Sequence, residues 1–288
     1  MAAAACYWKP HPAKSRLPPA TFRCEQWKDD AMLLLVDAGN TRIKWALADS
    51  APGAPDALGR WIDAGAVART DVNQLIDAWQ GRGVDRVLIS NVAGQATKEA
   101  LERIVAQTSG AASVAWFRSL PEAGGVRNGY RDPGQLGCDR FAAAIGAHAL
   151  YPGRHLIVAT CGTATTIDAV TEEGIFLGGM ILPGLGLMAA SLARNTAQLP
   201  QVAHRSDAVS PFADNTDAAI VSGCISAQVG AIERAAEKMA QRYGSVQCII
   251  SGGAATMVAP HVAIPVVMVD NLVLIGLQTV AMNQKTSC

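Results

Sequence analysis

The chain has 288 residues, 50% of them hydrophobic and 17% charged, with 24 basic residues balanced by 24 acidic ones. That length and apolar share predict a sizeable core in about two domains or one large α/β unit. The zero net charge argues against a bulk electrostatic grip on nucleic acid or an anionic membrane, and no uninterrupted apolar run is long enough to span a bilayer.

Residues 1–31 carry no periodic pattern. Pro10, Pro12, Pro18 and Pro19 alternate with basic residues and isolated tryptophans, and the apolar core of a secretory signal is missing. The segment reads as a disordered extension, with Met32 as a candidate true start because it directly precedes the first convincing strand. Leu33–Val36 is a short apolar run typical of a buried strand. Strands follow at Ile43–Leu47, Arg60–Val67, Arg86–Ser90 and Ser113–Phe117, with helical spacing over Val72–Gln80, Ala96–Thr108 and Phe141–Leu150. The pattern then restarts. His155–Ala159 and Thr165–Val170 read as strands, and Gly174–Leu182 as a strand interrupted by Gly178 and Gly179. Helices are predicted at Leu185–Arg194, Asp217–Tyr243 and Leu272–Met282, and strands at Val246–Ser251 and Val266–Val269. A strand, a glycine turn and a second strand therefore occur twice, which points to a duplicated α/β architecture with a cleft between related halves.

The cysteines (Cys6, Cys24, Cys138, Cys161, Cys224, Cys248 and Cys288) are scattered and never in CxxC spacing. They read as reduced thiols of a cytoplasmic protein. The histidines lack ligand spacing, which argues against a His-based metal site.

Four segments carry candidate chemistry. In the first, Asp37, Ala38, Gly39, Asn40, Thr41, Arg42, Ile43 and Lys44 join two strands. A glycine with φ > 0 at Gly39 would let backbone N–H groups face an anion. Asn40 and Thr41 add short donors, and Lys44 adds positive charge. Asp37 cannot itself attract a phosphate, so its expected task is to hold Mg²⁺ between carboxylate and phosphates. A plain hairpin with Asn40 in the left-handed region fits the same residues. In the second, Gly162 is followed by Thr163, Thr165, Thr166 and Asp168, suiting the other side of a nucleotide's phosphates; an ordinary Thr-rich strand is the alternative. In the third, the strand ending at Ser251 runs into Gly252 and Gly253, where backbone can pass close to a flat ring or ribose. A simple strand-to-helix turn is the commoner use of such glycines.

The fourth segment, Asn128–Arg140, is the most specific. It sets Tyr130, Pro133, Leu136, Gly137, Asp139 and Arg140 immediately before a helix. Phosphoryl transfer needs charge stabilisation, in-line positioning and a base for the hydroxyl proton, and Asp139 has that chemistry. Its ordinary role would be a helix N-cap. Gly184, Gly186 and Ala189 also fit GxGxxA, with Asp207 about 20 residues on. That segment follows Pro183 late in the chain and opens no first βαβ unit, so it reads as a glycine-rich loop entering a helix.

In their order and joint presence these segments resemble the type III pantothenate kinases, from Met32 nearly to the C-terminus. The family pattern Tyr-x-x-Pro-x-x-Leu-Gly-x-Asp-Arg is matched at every fixed position. The resemblance implies the duplicated ribonuclease-H-like halves of the actin/hexokinase/Hsp70 ATPase superfamily, here residues 32–150 and 151–288. It implies transfer of the ATP γ-phosphoryl group to the 4′-hydroxyl of pantothenate, the first step of coenzyme A synthesis, with Asp139 as proton acceptor. Tyr130, Gly137, Cys138, Asp139 and Arg140 would line the pantothenate pocket. Asp37 to Lys44 and Thr163 would contact ATP, Asp37 favouring Mg²⁺. The family forms homodimers with shared active sites, so Thr216 would reach pantothenate and the helix over 217–243 would supply dimer surface. Neither nucleic acid nor membrane is an implied partner. Thr160 stands where many members have an Asp that helps bind K⁺ or NH₄⁺, so that requirement is expected to be weak or met by other groups. A regulatory or transcription-accessory protein on the same scaffold is the competing expectation, and another small-molecule kinase or phosphohydrolase of the superfamily a third. Retention of Asp37, Asp139 and Arg140 argues against the former, and the tyrosine motif against the latter.

Overall fold

The computed structural model describes residues 31–49, 57–202 and 210–283. Apart from Ala31, the expected N-terminal extension lies outside the described residues.

Met32–Ala38 (β1) and Arg42–Asp49 (β2) pair antiparallel, and Asp63–Ala68 (β3) adds to β2 in the same sense. A short helix, Gln74–Trp79 (α1), leads to Val84–Asn91 (β4), which pairs parallel with β1. Gln95–Thr108 (α2) crosses to Ser113–Trp116 (β5), parallel to β4. The sheet order is β3-β2-β1-β4-β5. Two short strands, Glu122–Ala123 (β6) and Val126–Asn128 (β7), precede the helix Cys138–Leu150 (α3).

The second half repeats the plan. His155–Cys161 (β8), Ala164–Val170 (β9) and Ile175–Pro183 (β10) are successively antiparallel. Leu185–Asn195 (α4) and the 28-residue helix Thr216–Tyr243 (α5) then lead to Val246–Ser251 (β11), parallel to β8. Ala255–Val258 (α6), Val266–Met268 (β12, parallel to β11) and Leu272–Asn283 (α7) complete the described chain. The order is β12-β11-β8-β9-β10-β7-β6. Stripped of β6 and β7, it is the first sheet's order with the same strand directions, the duplicated ribonuclease-H-like plan.

Period two explains how the layers form. Successive side chains of a strand point to opposite faces. Leu34 and Val36 of β1 enter one cluster with Leu75 and Trp79 of α1 and Leu101 and Ile104 of α2. Leu33 and Leu35 point the other way, into a cluster with Phe141 of α3 and Leu274 and Leu277 of α7. From the second sheet, Leu156 and Val158 of β8 join that same central cluster. Their neighbours Ile157 and Ala159 face α4, α5 and α6. Thus α3 and α7 are sandwiched between the two sheets, and for that reason Phe141–Ala147 and Leu272–Ala281 are buried on all sides. Their backbones touch: a Cβ on Gly276 would collide with the Ala142 carbonyl, and one on Gly146 would stand 2.9 Å from the Gly276 nitrogen.

Two local readings change. The predicted helix over 72–80 shortens to α1. β10 is one strand rather than an interrupted one, with a register shift between Phe176 and Gly178 that Gly178 absorbs at φ 132°. β6 and β7 are too short to leave a periodic signal. Among the described residues no helix is long and apolar enough to cross a membrane.

Candidate active site

The site forms where the parallel strands β1 and β4 end and α3 begins, the end of an α/β sheet at which ligands bind. Cys138, the first residue of α3, holds the helix there. Its Sγ lies 3.4 Å from Ser90 Oγ and 3.7 Å from the Asn91 carbonyl at the end of β4. Val92 N–H donates to the Ala38 carbonyl at 3.1 Å, tying β4 to the end of β1.

Asp139 is not the cap of α3. Gly137 occupies that position, and Asp139 is the second helical residue, its Oδ1 accepting the Arg140 N–H at 2.8 Å. A carboxylate in the first turn faces the positive end of the helix dipole. Burial nonetheless pushes Asp139 above its ordinary range, with the Arg140 N–H and guanidinium pulling the other way. Half-buried Asp37 is pushed up to about 7, by burial first and then by the negative charge of Asp139. Lys44, its partner across β1 and β2, opposes that rise. So the structure sets two carboxylates, far apart in the chain, within each other's field.

The two glycine turns also meet. Thr41 Oγ1 and Thr163 Oγ1 are 2.7 Å apart, across 122 residues of sequence. The first turn does not use the backbone expected of it. Gly39 is not in the left-handed region, and its N–H closes the turn on the Arg42 carbonyl at 3.0 Å. Gly162 N–H likewise donates to Ala164, at 3.0 Å. Nor does Asn40 take a positive φ; among described non-glycine residues only Asn271 does. Arg69, which the sequence did not single out, buttresses the first turn. Its N–H donates to Thr41 O at 2.9 Å, and its Nε to Asn40 O at 2.7 Å.

The remaining glycine motifs gather around the second turn. Gly184 caps α4 and donates its N–H to the Thr163 carbonyl at 2.9 Å, so the GxGxxA segment is a loop entering a helix. Gly252 adopts φ 96° against the Cys161 backbone, and Ala254 N–H donates to the Cys161 carbonyl at 3.0 Å. A Cβ on Gly253 would meet nothing within 4 Å, so this turn presents an open face.

Beside Asp139, Arg140 reaches across to the second half. Its guanidinium pairs with Asp168 on β9 through Nη2 and through Nε at 3.2 Å, and Nη1 donates to Tyr130 Oη at 3.0 Å. Burial pushes Asp168 up to about 6, against the bonds and charge of Arg140. Burial works against the Arg140 charge too, but Asp168 and Tyr130 outweigh it and hold the guanidinium above its ordinary value. The Tyr130 ring meets Phe176 edge-on, with centroids 5.8 Å apart. The pairing of Asp168 was missed at the level of sequence. The one charged residue on β9 was the available signal, because a buried charge needs a partner.

Thr216 opens α5 and is exposed, behind the Asn215 cap that accepts Ala218 N–H at 2.9 Å. No hydrogen bond among the described residues joins it to Tyr130, Asp139 or Arg140. Thr160 lies in β8 between Thr166 of β9 and Ser251 of β11. Among the described residues no three His, Cys, Asp or Glu side chains form a group able to hold a metal, and Cys138, Cys161, Cys224 and Cys248 are free thiols.

The family model for type III pantothenate kinase matches residues 33–238. A type III pantothenate kinase of Janthinobacterium sp. (strain Marseille) is 60% identical over 262 residues, covering 89% of this chain and 100% of the relative. One from Herminiimonas arsenicoxydans is 60% identical over 259 residues with the same coverage. Among solved structures, one described as a conserved Baf family transcriptional activator from Campylobacter jejuni superimposes with a TM-score of 0.56. It is 16% identical and covers 88% of this chain and 100% of its own, a likeness of fold. On the family match and the identity to these kinases over nearly the whole chain, the chain belongs to the type III pantothenate kinase family.

Proposed function

We propose that the chain transfers the γ-phosphoryl group of ATP to the 4′-hydroxyl of pantothenate, opening coenzyme A synthesis in the cytoplasm. The observation that carries this reading is the meeting of the two glycine turns at the Thr41 and Thr163 hydroxyls, with Asp37 at the end of the first turn's strand lying in the field of Asp139. A base, a cation-seeking carboxylate and two phosphate turns converge there. Asp139 accepts the proton of the attacking hydroxyl. Its raised proton affinity suits a base working near neutral pH. The 38–44 turn and Thr163 hold the phosphates, and Gly252 and Gly253 pass close to the adenosine. Tyr130, Gly137, Cys138 and Arg140 line the acceptor pocket.

Asp37 is poorly solvated and faces a second carboxylate, so its site fits a divalent cation. Asp37 would hold Mg²⁺ there, and the ion would supply charge neutralisation for the transferring group. Thr160 offers a neutral hydroxyl where a carboxylate would bind K⁺ or NH₄⁺, so monovalent-cation dependence is weak or is met by other groups. With halves at 32–150 and 151–288, each half supplies one of these two turns. A homodimer completes the pocket, with Thr216 reaching the partner's pantothenate. Exposed apolar side chains on β10 (Leu177, Met180, Ile181), on α4 (Leu187, Leu192) and at Phe212 support such a covered face.

The test is a coupled assay of the purified protein with ATP, Mg²⁺ and pantothenate, beside Asp139→Asn. Asparagine keeps the shape and the oxygen that accepts the Arg140 N–H but cannot take the proton. A fall in kcat of about 10²–10⁴-fold with folding retained is expected. ATP consumption that ignores pantothenate, or a variant with undiminished turnover, would refute the reading.

A further inference from the structure

Arg140 has five N–H donors in a planar fork. Asp168 engages Nε and one hydrogen of Nη2, and Tyr130 takes one hydrogen of Nη1. Among the described residues one N–H on each terminal nitrogen is left without a hydrogen-bond partner. The pair is enclosed, with only 7% of the Arg140 side chain and 2% of the Asp168 side chain exposed. The room for it comes from the neighbouring strand. Gly179 of β10 stands directly opposite Asp168 in the register, and a Cβ there would collide with the Asp168 carboxylate and reach 2.9 Å from Arg140 Nη2. A glycine inside a strand weakens that strand, and a buried ion pair adds little net stability over apolar side chains of similar size. Packing alone therefore does not account for the arrangement. What it achieves is a guanidinium fixed in one plane and rotamer, anchored to the strand that starts at the second phosphate turn.

We propose that Asp168 is a positioning residue for the acceptor substrate: it clamps Arg140 side-on, so that the two remaining N–H groups meet the oxygens of pantothenate. Gly179 is the second part of the device, because only a bare Cα leaves the clamp room. The inference rests on the reading of Arg140 as a pantothenate-pocket residue. It assigns to Asp168 no contact with substrate and no proton transfer.

Steady-state kinetics in both substrates separate this from a merely structural role. Asp168→Asn keeps the shape but removes the charge that holds the fork. The pantothenate KM is expected to rise about ten- to a hundredfold, with the ATP KM within about twofold of wild type. Gly179→Ala, which keeps both charged side chains in the sequence but drives a methyl into the Asp168 carboxylate and the Ile167 carbonyl and so displaces the clamp, is expected to shift the pantothenate KM in the same direction. Should Asp168→Asn not fold, Asp168→Ser, which admits water to the guanidinium, carries the same comparison. A folded Asp168 variant with an unchanged pantothenate KM would overturn the proposal, as would one in which only the active fraction falls and both KM values stay put. A wild-type protein that turns over no pantothenate would sink the functional reading underneath it instead.

Discussion

Replacing Asp37 with asparagine is expected to stabilise the nucleotide-free protein while abolishing its activity. The carboxyl is pushed from 3.8 up to about 7, by burial and then by Asp139. Its folded-state value thus lies above its unfolded one. The folded chain holds the proton more tightly, so stability is gained as pH falls through about 7 towards 3.8, and above about 7 the ionised group costs the fold its full penalty. A rise from 3.8 to about 7 corresponds to about 4 kcal/mol. Asp37 is only half-buried, and screening by solvent and by Lys44 reduces that to about 1–3 kcal/mol. At about 2–4 °C per kcal/mol for a chain of this size, the midpoint of thermal unfolding should rise by about 2–12 °C. The assay is thermal unfolding of wild type and Asp37→Asn without Mg²⁺ or nucleotide, at about pH 8 and about pH 5, beside the kinase assay. The gap should shrink at the lower pH, where the wild-type carboxyl is already protonated. Equal midpoints at the higher pH, or a gap of the same size at both, would refute the reasoning.

Two further outcomes follow from the packing and from the second turn. Gly276→Ala drives a methyl into the Ala142 carbonyl between α7 and α3; calorimetry should show a loss of about 1–3 kcal/mol, with the KM values of the surviving enzyme unchanged. Thr160→Asp places a carboxylate between Thr166 and Ser251. The rate should then become responsive to added K⁺, whereas a steep, saturable K⁺ response already present in the wild type would contradict the weak dependence expected of Thr160.

Much of the molecule was legible because its signals are local. The alternation of Leu33 to Val36 and of Leu156 to Ala159 marked strands with two covered faces. The helix over 217–243 was readable to within a residue of α5, because a 28-residue helical period has few competitors. The motif around Tyr130 and Asp139, read alone a loop and a helix cap, implied the acceptor half of a kinase site only through its resemblance to the family pattern and its company with the two glycine turns. Local signals also had their limits. Asp139 was ambiguous between cap and base, because Asp suits both and helix starts are uncertain by a residue or two; the cap proved to be Gly137. Gly39 permits a positive φ but does not adopt one, because Arg69 and Arg42 hold its turn in another shape.

Residue types, element periods and the order of motifs were thus determined by the sequence itself, and with them the fold class and the family. The meetings across the chain were decided only by the tertiary structure: Thr41 with Thr163, Asp37 with Asp139, Arg140 with Asp168 under Gly179, and β7 with β10 of the second sheet. The physical reason is the same in each case. A hydrogen bond, a field between charges or a forbidden Cβ depends on distance in space. Two segments more than a hundred residues apart acquire that distance only when both sheets close on α3 and α7.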